Sequence, residues 1–303
     1  GEWALNPETG GNEYIEEQIE LGDRIVSVHL SPVYVGERFL GTVSVFRDIT
    51  REVEADRSKS DFITNVSHEF RTPLTPIKGY IDMVLMGAAG QVTDQQKNVL
   101  GTAKRNVDRL TALVNDVLEI SKLDQGAKEL VLGDVDVNEV IEMALKKLVQ
   151  KPQHRDKALD VHYDATDIPI IRADADKVLQ IVTNVVDNAF NYTPSGGSID
   201  ISVEADVDNN NALIAVADTG VGIPEEFYEK VWLRFERHDD TALGMEVPGT
   251  GLGMPIVKEL VEMHGGRVWF ESELNVGTTF YIQLPINRSE YMTQISVSDD
   301  RSN

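Results

Sequence analysis

Apolar and polar positions alternate over residues 1–50 and predict a small β-rich unit. Residues 24–30 and 39–46 read as strands, and residues 14–21 supply a third. Ser31, Pro32 and the region of Gly36 serve as the connection between the first two. Three strands bury little, so this unit reads as part of a truncated domain. The period then lengthens. Ile63, Val66, Phe70, Leu74, Ile77, Ile81 and Val84 recur at steps of three and four, which predicts one long helix over residues 48–87. Pro73 lies inside it, removes a backbone donor, and is expected to bend the helix just after His68. Met86, Gly87, Ala88, Ala89 and Gly90 form a turn. Leu100, Ala103, Val107, Leu110, Val114, Val117 and Ser121 then alternate strictly by three and four, so residues 93–124 form a second helix with a heptad seam. Two helices cannot close a core by themselves. Pairing of two copies into a left-handed four-helix bundle is the economical solution.

Beyond a linker at residues 126–134 the pattern mixes both periods. Strands are expected at 159–163, 169–172, 198–203, 212–217, 267–272 and 278–284, and helices at 174–192 and 255–264. That predicts an α/β sandwich with helices on one face of a mixed sheet. Residues 286–303 are polar and aperiodic and read as a tail. The chain is thus multi-domain, divided at 1–50, 51–126, a linker 127–134, 135–286 and a tail 287–303.

Composition narrows the chemistry. Of 303 residues 41% are hydrophobic and 26% charged, enough to bury cores in two or three units. A formal net charge of −23 argues against general binding to nucleic acid or anionic lipid. There are no cysteines, which excludes disulfides and thiolate metal sites and fits a reducing compartment. No apolar run reaches the ~20 residues that span a bilayer, and no signal peptide is visible. A cytoplasmic piece without membrane contact is expected, although a longer parent chain could be anchored upstream.

Four clusters carry candidate chemistry. His68 precedes Glu69 on the first long helix; a neutral imidazole is a good nucleophile, and a neighbouring carboxylate can hold its tautomer and take its proton. A solvated surface histidine would look the same in isolation. Asn184 and Asn188 are four apart on one helix face, where their amides could ligate Mg²⁺ or touch phosphate oxygens without adding charge. Asp218-Thr219-Gly220-Val221-Gly222 follows a strand; its glycines permit close backbone approach, and the aspartate can accept from an exocyclic amine. An ordinary turn explains a lone motif of this kind equally well. Gly249-Thr250-Gly251-Leu252-Gly253 precedes a helix that Pro255 begins well, so its N–H groups could face a polyphosphate. Residues 238–247 between these loops could be a lid or only a loop.

In this order the clusters resemble the sensor histidine kinases of two-component systems. The run Ser67-His68-Glu69-Phe70-Arg71-Thr72-Pro73-Leu74 is similar to the family's H box, residues 184–192 to its N box, 218–224 and 249–253 to its glycine boxes, 231–237 to its F box, and 277–280 to its last short motif. Residues 1–50 resemble the C-terminal strands of a PAS sensor domain. The resemblance implies a PAS fragment, a phosphoacceptor helical hairpin dimerising into a four-helix bundle, and an ATP-binding domain of the GHKL (Bergerat) type. It implies that His68 accepts the γ-phosphoryl group of ATP with Glu69 as base. Asn188 would hold Mg²⁺ with Asn184 nearby, Asp218 would read the adenine amine, and Arg237 would approach the γ-phosphate. Asn191, Tyr192, Gly220, Gly222, Ile223, Gly249, Thr250, Gly251, Leu252, Gly253 and Thr278 would line the ATP/ADP site. Thr72 would orient water for dephosphorylation of a response regulator, and Thr75, Gly79 and Tyr80 would select that regulator's receiver domain. Three positions depart from the family pattern: Asn191 replaces a basic residue, Leu233 an acidic one, and Met254-Pro255 a small-residue helix start. A nucleotide-binding scaffold without transferase activity and an ATP-driven conformational machine are the competing functions.

Overall fold

The computed structural model describes residues 15–36, 38–124, 130–151, 154, 157–166, 168–237 and 249–287. It divides into two compact units, one ending at His68 and the other starting at Glu69. The expected tail beyond 287 and the first part of the expected linker, residues 126–129, lie outside the described residues.

In the first unit β1 (Ile15–Leu21), β2 (Arg24–Val35) and β3 (Arg38–Asp48) form an antiparallel sheet in that order. Ser31 and Pro32, expected in a connection, instead lie inside β2. Pro32 pairs with Thr42 on one side, and among the described residues the pairing of β1 begins at Ile15 opposite Leu30. The chain reverses at Gly36, whose φ of 61° suits glycine. Asp48 then accepts hydrogen bonds from the Thr50 amide (3.1 Å) and hydroxyl (2.6 Å), which satisfies the first turn of α1 (Thr50–Leu85).

The spacing predicts a bend at Pro73. The helix runs unbroken through Pro73 and through Pro76 as well. Each proline lacks an N–H, so the carbonyls of Glu69 and Thr72, four residues earlier, lose their usual donors within the helix. In the second unit α2 (Asp94–Asp124) begins at a reciprocal cap. The Thr93 amide donates to Gln96 Oε1 (2.9 Å), and the Gln96 amide donates to Thr93 Oγ1 (3.3 Å). The two helices run antiparallel, in a register fixed at three levels. Arg71 bonds Asn115 (2.8 Å), Lys78 pairs with Asp108 (2.6 Å), and Asp82 pairs with Lys104 (2.5 Å). Phe70, Ile77, Tyr80, Met83, Val99 and Leu110 remain exposed on this hairpin.

The rest of the second unit is an α/β sandwich. Its five-stranded sheet has the order β5 (Asp160–Tyr163), β7 (Ser198–Asp206), β8 (Asn211–Asp218), β10 (Gly277–Pro285), β9 (Arg267–Glu273), and only β5 and β7 are parallel. Along β7, Ile199, Ile201 and Val203 are buried while Asp200, Ser202 and Glu204 face solvent, the alternation of a sheet covered on one side. The covering helices are α3 (Val137–Val149), α4 (Ala175–Tyr192) and α5 (Gly253–Met263). Helix α3 has no counterpart among the expected elements, although Val137, Val140, Ile141, Ala144 and Leu148 mark its buried face. Asp136 caps its start by accepting from the Asn138 amide (2.9 Å). Strand β6 (Ile171–Ala173) does not join the main sheet. It pairs with β4 (Gly133–Val135), a strand that composition places in the linker. Helix α5 begins at Gly253, so Pro255 is its third residue, still within the first turn where its missing N–H costs nothing. The end of α2 belongs to this core as well: Ile120 and Leu123 are buried in it and Val117 packs against it.

Candidate nucleotide site

Helix α4 presents two kinds of face. Val178, Ile181, Val182, Val185, Val186, Ala189 and Phe190 point into the core, which leaves Asn184 and Asn188 half-buried on the other side. Asn184 Nδ2 donates to the Gly253 carbonyl at 3.5 Å, so the second glycine loop lies against the first amide. Asn191 is 7% exposed, unlike the open phosphate contact its place in the motif suggests. Between the two amides, Asp187 accepts from Lys151 (2.6 Å) and from the His154 ring (2.9 Å). Burial pushes its carboxyl up, but His154 and Lys151 outweigh burial and hold it below the usual range.

The first glycine loop closes against the end of α4. The Val221 amide donates to the Tyr192 carbonyl (3.3 Å), and the Gly220 amide donates to Asp218 Oδ1 (2.8 Å). A Cβ on Gly220 would lie 2.7 Å from the Tyr192 oxygen and 2.6 Å from Asp218, so only glycine fits. At Gly222 φ is 69° and a Cβ would run into the Glu273 carbonyl. Across the loop the Ile223 amide donates to Ser272 Oγ (2.8 Å), which lies 2.8 Å from the Thr278 hydroxyl. Thr278 pairs directly with Asp218 between β10 and β8. Burial pushes the Asp218 carboxyl up to about 6, against backbone donation from Gly220 and Thr278, which lowers it. A half-buried acceptor thus stands at the head of a loop whose glycines at 220 and 222 carry no side chain, a place where a flat, amine-bearing ring can approach the backbone.

The second loop is braced from two sides. The Phe235 amide donates to the Gly251 carbonyl (3.0 Å), and Arg237 Nη1 donates to the Gly249 carbonyl (3.1 Å). Leu252 is fully buried. The Thr250 hydroxyl donates to Asp116 on α2 (2.7 Å), so it is turned toward a carboxylate in this structure. Burial raises the Asp116 carboxyl, against the Thr250 bond, which lowers it, and with a smaller push upward from the Glu119 charge. One turn later Glu119 takes Lys177 (2.6 Å) and Gln180 of α4. Asp116, Glu119 and Ser272 stand in no motif, and sequence spacing carries no signal for them; Asp187 lies within the N-box run, but spacing does not reveal its partners Lys151 and His154. Residues 238–247, the expected lid or loop, lie outside the described residues.

Helix α1 carries the remaining candidates. His68, Glu69, Thr72, Thr75, Gly79 and Tyr80 are all exposed, and the Thr75 hydroxyl donates to the Arg71 carbonyl (3.0 Å). Among the described residues no three His, Asp or Glu side chains converge as metal ligands, and no helix is long and apolar enough to cross a membrane.

The model of the His Kinase A (phospho-acceptor) domain matches residues 58–126, and that of the histidine kinase-, DNA gyrase B- and HSP90-like ATPase matches residues 173–288. Drug sensory protein A of Synechocystis sp. is 36% identical over 264 residues, 84% of this chain and 39% of its own length. Sensor histidine kinase WalK of Bacillus subtilis is 32% identical over 252 residues, 82% of this chain and 40% of its own. The crystal structure of full-length ShkA in complex with AMPPNP superposes with a TM-score of 0.60 at 29% identity, over 74% of this chain and 45% of that one. The chain therefore spans about two fifths of the length of the curated relatives it matches.

Proposed function

The chain belongs to the sensor histidine kinases of two-component systems, and on that footing we propose that it is an ATP-dependent autokinase that phosphorylates His68 and hands the group to an aspartate of a response-regulator receiver domain. The observation that carries this reading is the convergence of the α4 amides with both glycine loops, through Asn184 on Gly253 and Tyr192 on Val221. That cradle suits adenine at Asp218 and phosphates at the second loop. ShkA, solved in complex with AMPPNP, is similar over 74% of this chain and supports a nucleoside triphosphate as the ligand.

In the transfer step a ring nitrogen of neutral His68 attacks the γ-phosphorus. A P–N bond forms, the bond to the β,γ-bridging oxygen breaks, ADP leaves, and Glu69 takes the imidazole proton. Arg237 would meet charge on the γ-phosphate, with Gly249 to Gly253 amides on the other phosphates. Asn188 and Asn184 fit Mg²⁺ as neutral oxygen donors beside phosphates that supply the negative ligands; bound there, the ion would neutralise phosphate charge. Asn191, Tyr192, Gly220, Gly222, Ile223, Leu252 and Thr278 complete the wall of the site. Incubation with γ-labelled ATP tests the whole reading. Acid-labile label on the protein supports it. Bound nucleotide without label would mean a scaffold, and steady hydrolysis without label a conformational ATPase.

We assign the three N-terminal strands to the end of a PAS sensor domain, residues 51–126 to the phosphoacceptor hairpin and 135–286 to the catalytic domain, all working in the cytoplasm where ATP is available. The exposed apolar residues of the hairpin are the homodimer seam. Leu110→Glu with Ile77→Glu, at positions 48% and 44% exposed in the single chain, is expected to give monomers by light scattering where the unmodified chain is a dimer. Val117 is the wrong residue for this test, since it packs on the catalytic core. Thr72 follows His68 by one helical turn, and its hydroxyl would orient water against an aspartyl-phosphate on a regulator docked at Thr75, Gly79 and Tyr80. Thr72→Ala is therefore expected to lose phosphatase activity while most autokinase activity remains. A parallel fall of both would make Thr72 structural.

A further inference from the structure

Lys157 belongs to no motif, yet its ammonium gathers three backbone carbonyls. Nζ donates to the carbonyls of Phe190 (2.7 Å), Asn191 (2.8 Å) and Thr193 (3.0 Å). These oxygens sit at the C-terminal end of α4, where helix carbonyls lack partners and the helix dipole is negative. The carbonyl omitted from this set is that of Tyr192, which points instead to the Val221 amide of the first glycine loop. The carbonyls on both sides of Tyr192 are turned one way, so its own is turned the other. Lys157 itself is held in place. Three bonds zip its neighbours onto the same turn: Gly196 N–H to the Ala158 carbonyl (2.9 Å), Asp160 N–H to the Gly197 carbonyl (3.0 Å), and Ala158 N–H to Ser195 Oγ (3.4 Å).

We propose that Lys157 is a positioning residue for nucleotide binding, a built-in monovalent cation whose three carbonyl bonds aim the Tyr192 carbonyl at the Gly220–Val221 loop and so set Asp218 for adenine. This rests on the nucleotide reading above. Three carbonyls around one compact cation form the kind of ligand set that also replaces the hydration shell of K⁺ or NH₄⁺. Lys157 also borders a solvent-open cavity of about 310 Å³ lined by Val149, His154, Leu159, Val161 and Phe190. With the side chain truncated, a small cation from solution can reach the carbonyls.

The test is chemical rescue of Lys157→Ala. ADP affinity by calorimetry and the melting temperature of the nucleotide-free protein are compared in equal concentrations of tetramethylammonium, potassium and ammonium chloride. Tetramethylammonium matches ionic strength but is too large for the site. The variant is expected to bind ADP roughly tenfold more weakly in tetramethylammonium, and to regain most of that loss and a higher melting temperature in potassium or ammonium. The unmodified chain should respond to none of them. Lys157→Met keeps the aliphatic stem, fills the space and admits no cation, so its affinity should stay low in every salt. Unchanged ADP affinity in either variant overturns the proposal, and so does a loss that no small cation restores. If the unmodified chain fails to bind ADP, the nucleotide reading falls, while cation-dependent melting of Lys157→Ala still decides whether the carbonyl site exists.

Discussion

His68→Gln is expected to abolish incorporation of label from γ-labelled ATP while leaving ADP affinity within about twofold of the unmodified chain. The amide of glutamine has no nucleophilic lone pair to offer phosphorus, so the loss should be complete rather than graded. The residue lies on an exposed stretch of α1, and a helix-compatible polar substitution there costs little stability. The protein should therefore fold, dimerise and bind nucleotide as before. Labelling of the variant at the native rate would place the phosphoacceptor elsewhere. His154 and His264, 3% and 2% exposed, could not replace it without local unfolding.

Why some of this molecule could be read from its sequence, and some could not, follows from the range of the interactions involved. The long helices are local: three- and four-residue steps from Ile63 to Val84 and from Leu100 to Ser121 fix α1 and α2 within two residues of the expected ends. The alternating strands β7, β8 and β10 are legible for the same reason. Helix α3 carries the same kind of local signal, apolar residues at 137, 140, 141, 144 and 148, although no element is expected there. Other features depend on partners far along the chain. Gly133–Val135 is too short to announce a strand and becomes one only by pairing with Ile171–Ala173. Pro32 looks like a strand breaker until its pairing with Thr42, ten positions on, is known. Within the site, glycine spacing predicts close backbone approach. It cannot predict that the Thr250 hydroxyl is taken by Asp116, or that Lys157 gathers the last carbonyls of α4. Those contacts join residues more than thirty positions apart and carry no periodicity.

Asp218→Asn is expected to move stability and function in opposite directions. The carboxyl of Asp218 titrates at about 6 in the folded chain against an ordinary 3.8, because burial penalises its charge. The sign follows from linkage: the folded state binds the proton more tightly, so the benefit is whole below about pH 4 and gone once the pH exceeds about 6. At pH 7 the buried carboxylate therefore costs the nucleotide-free protein at most roughly 3 kcal/mol. Asparagine removes that cost, less whatever the Thr278 amide loses if it faces an NH₂ group. The variant should melt higher than the unmodified chain at pH 7.5, and the gap should close by pH 4. Nucleotide binding should fail for a geometric reason. The Gly220 amide already claims one oxygen at 2.8 Å, so the single oxygen of asparagine settles there and presents its NH₂ group to the adenine amine, donor against donor. Loss of a charged acceptor of this kind corresponds to roughly 10- to 150-fold in ADP affinity. The unmodified chain should show the same loss in graded form, its ADP affinity falling as the pH drops through about 6. Calorimetry across that range, with melting curves of both proteins, checks each arm. A variant that binds ADP normally would remove Asp218 from the site, and one that melts lower at pH 7.5 would mean that its carboxylate is held by bonds worth more than its burial costs.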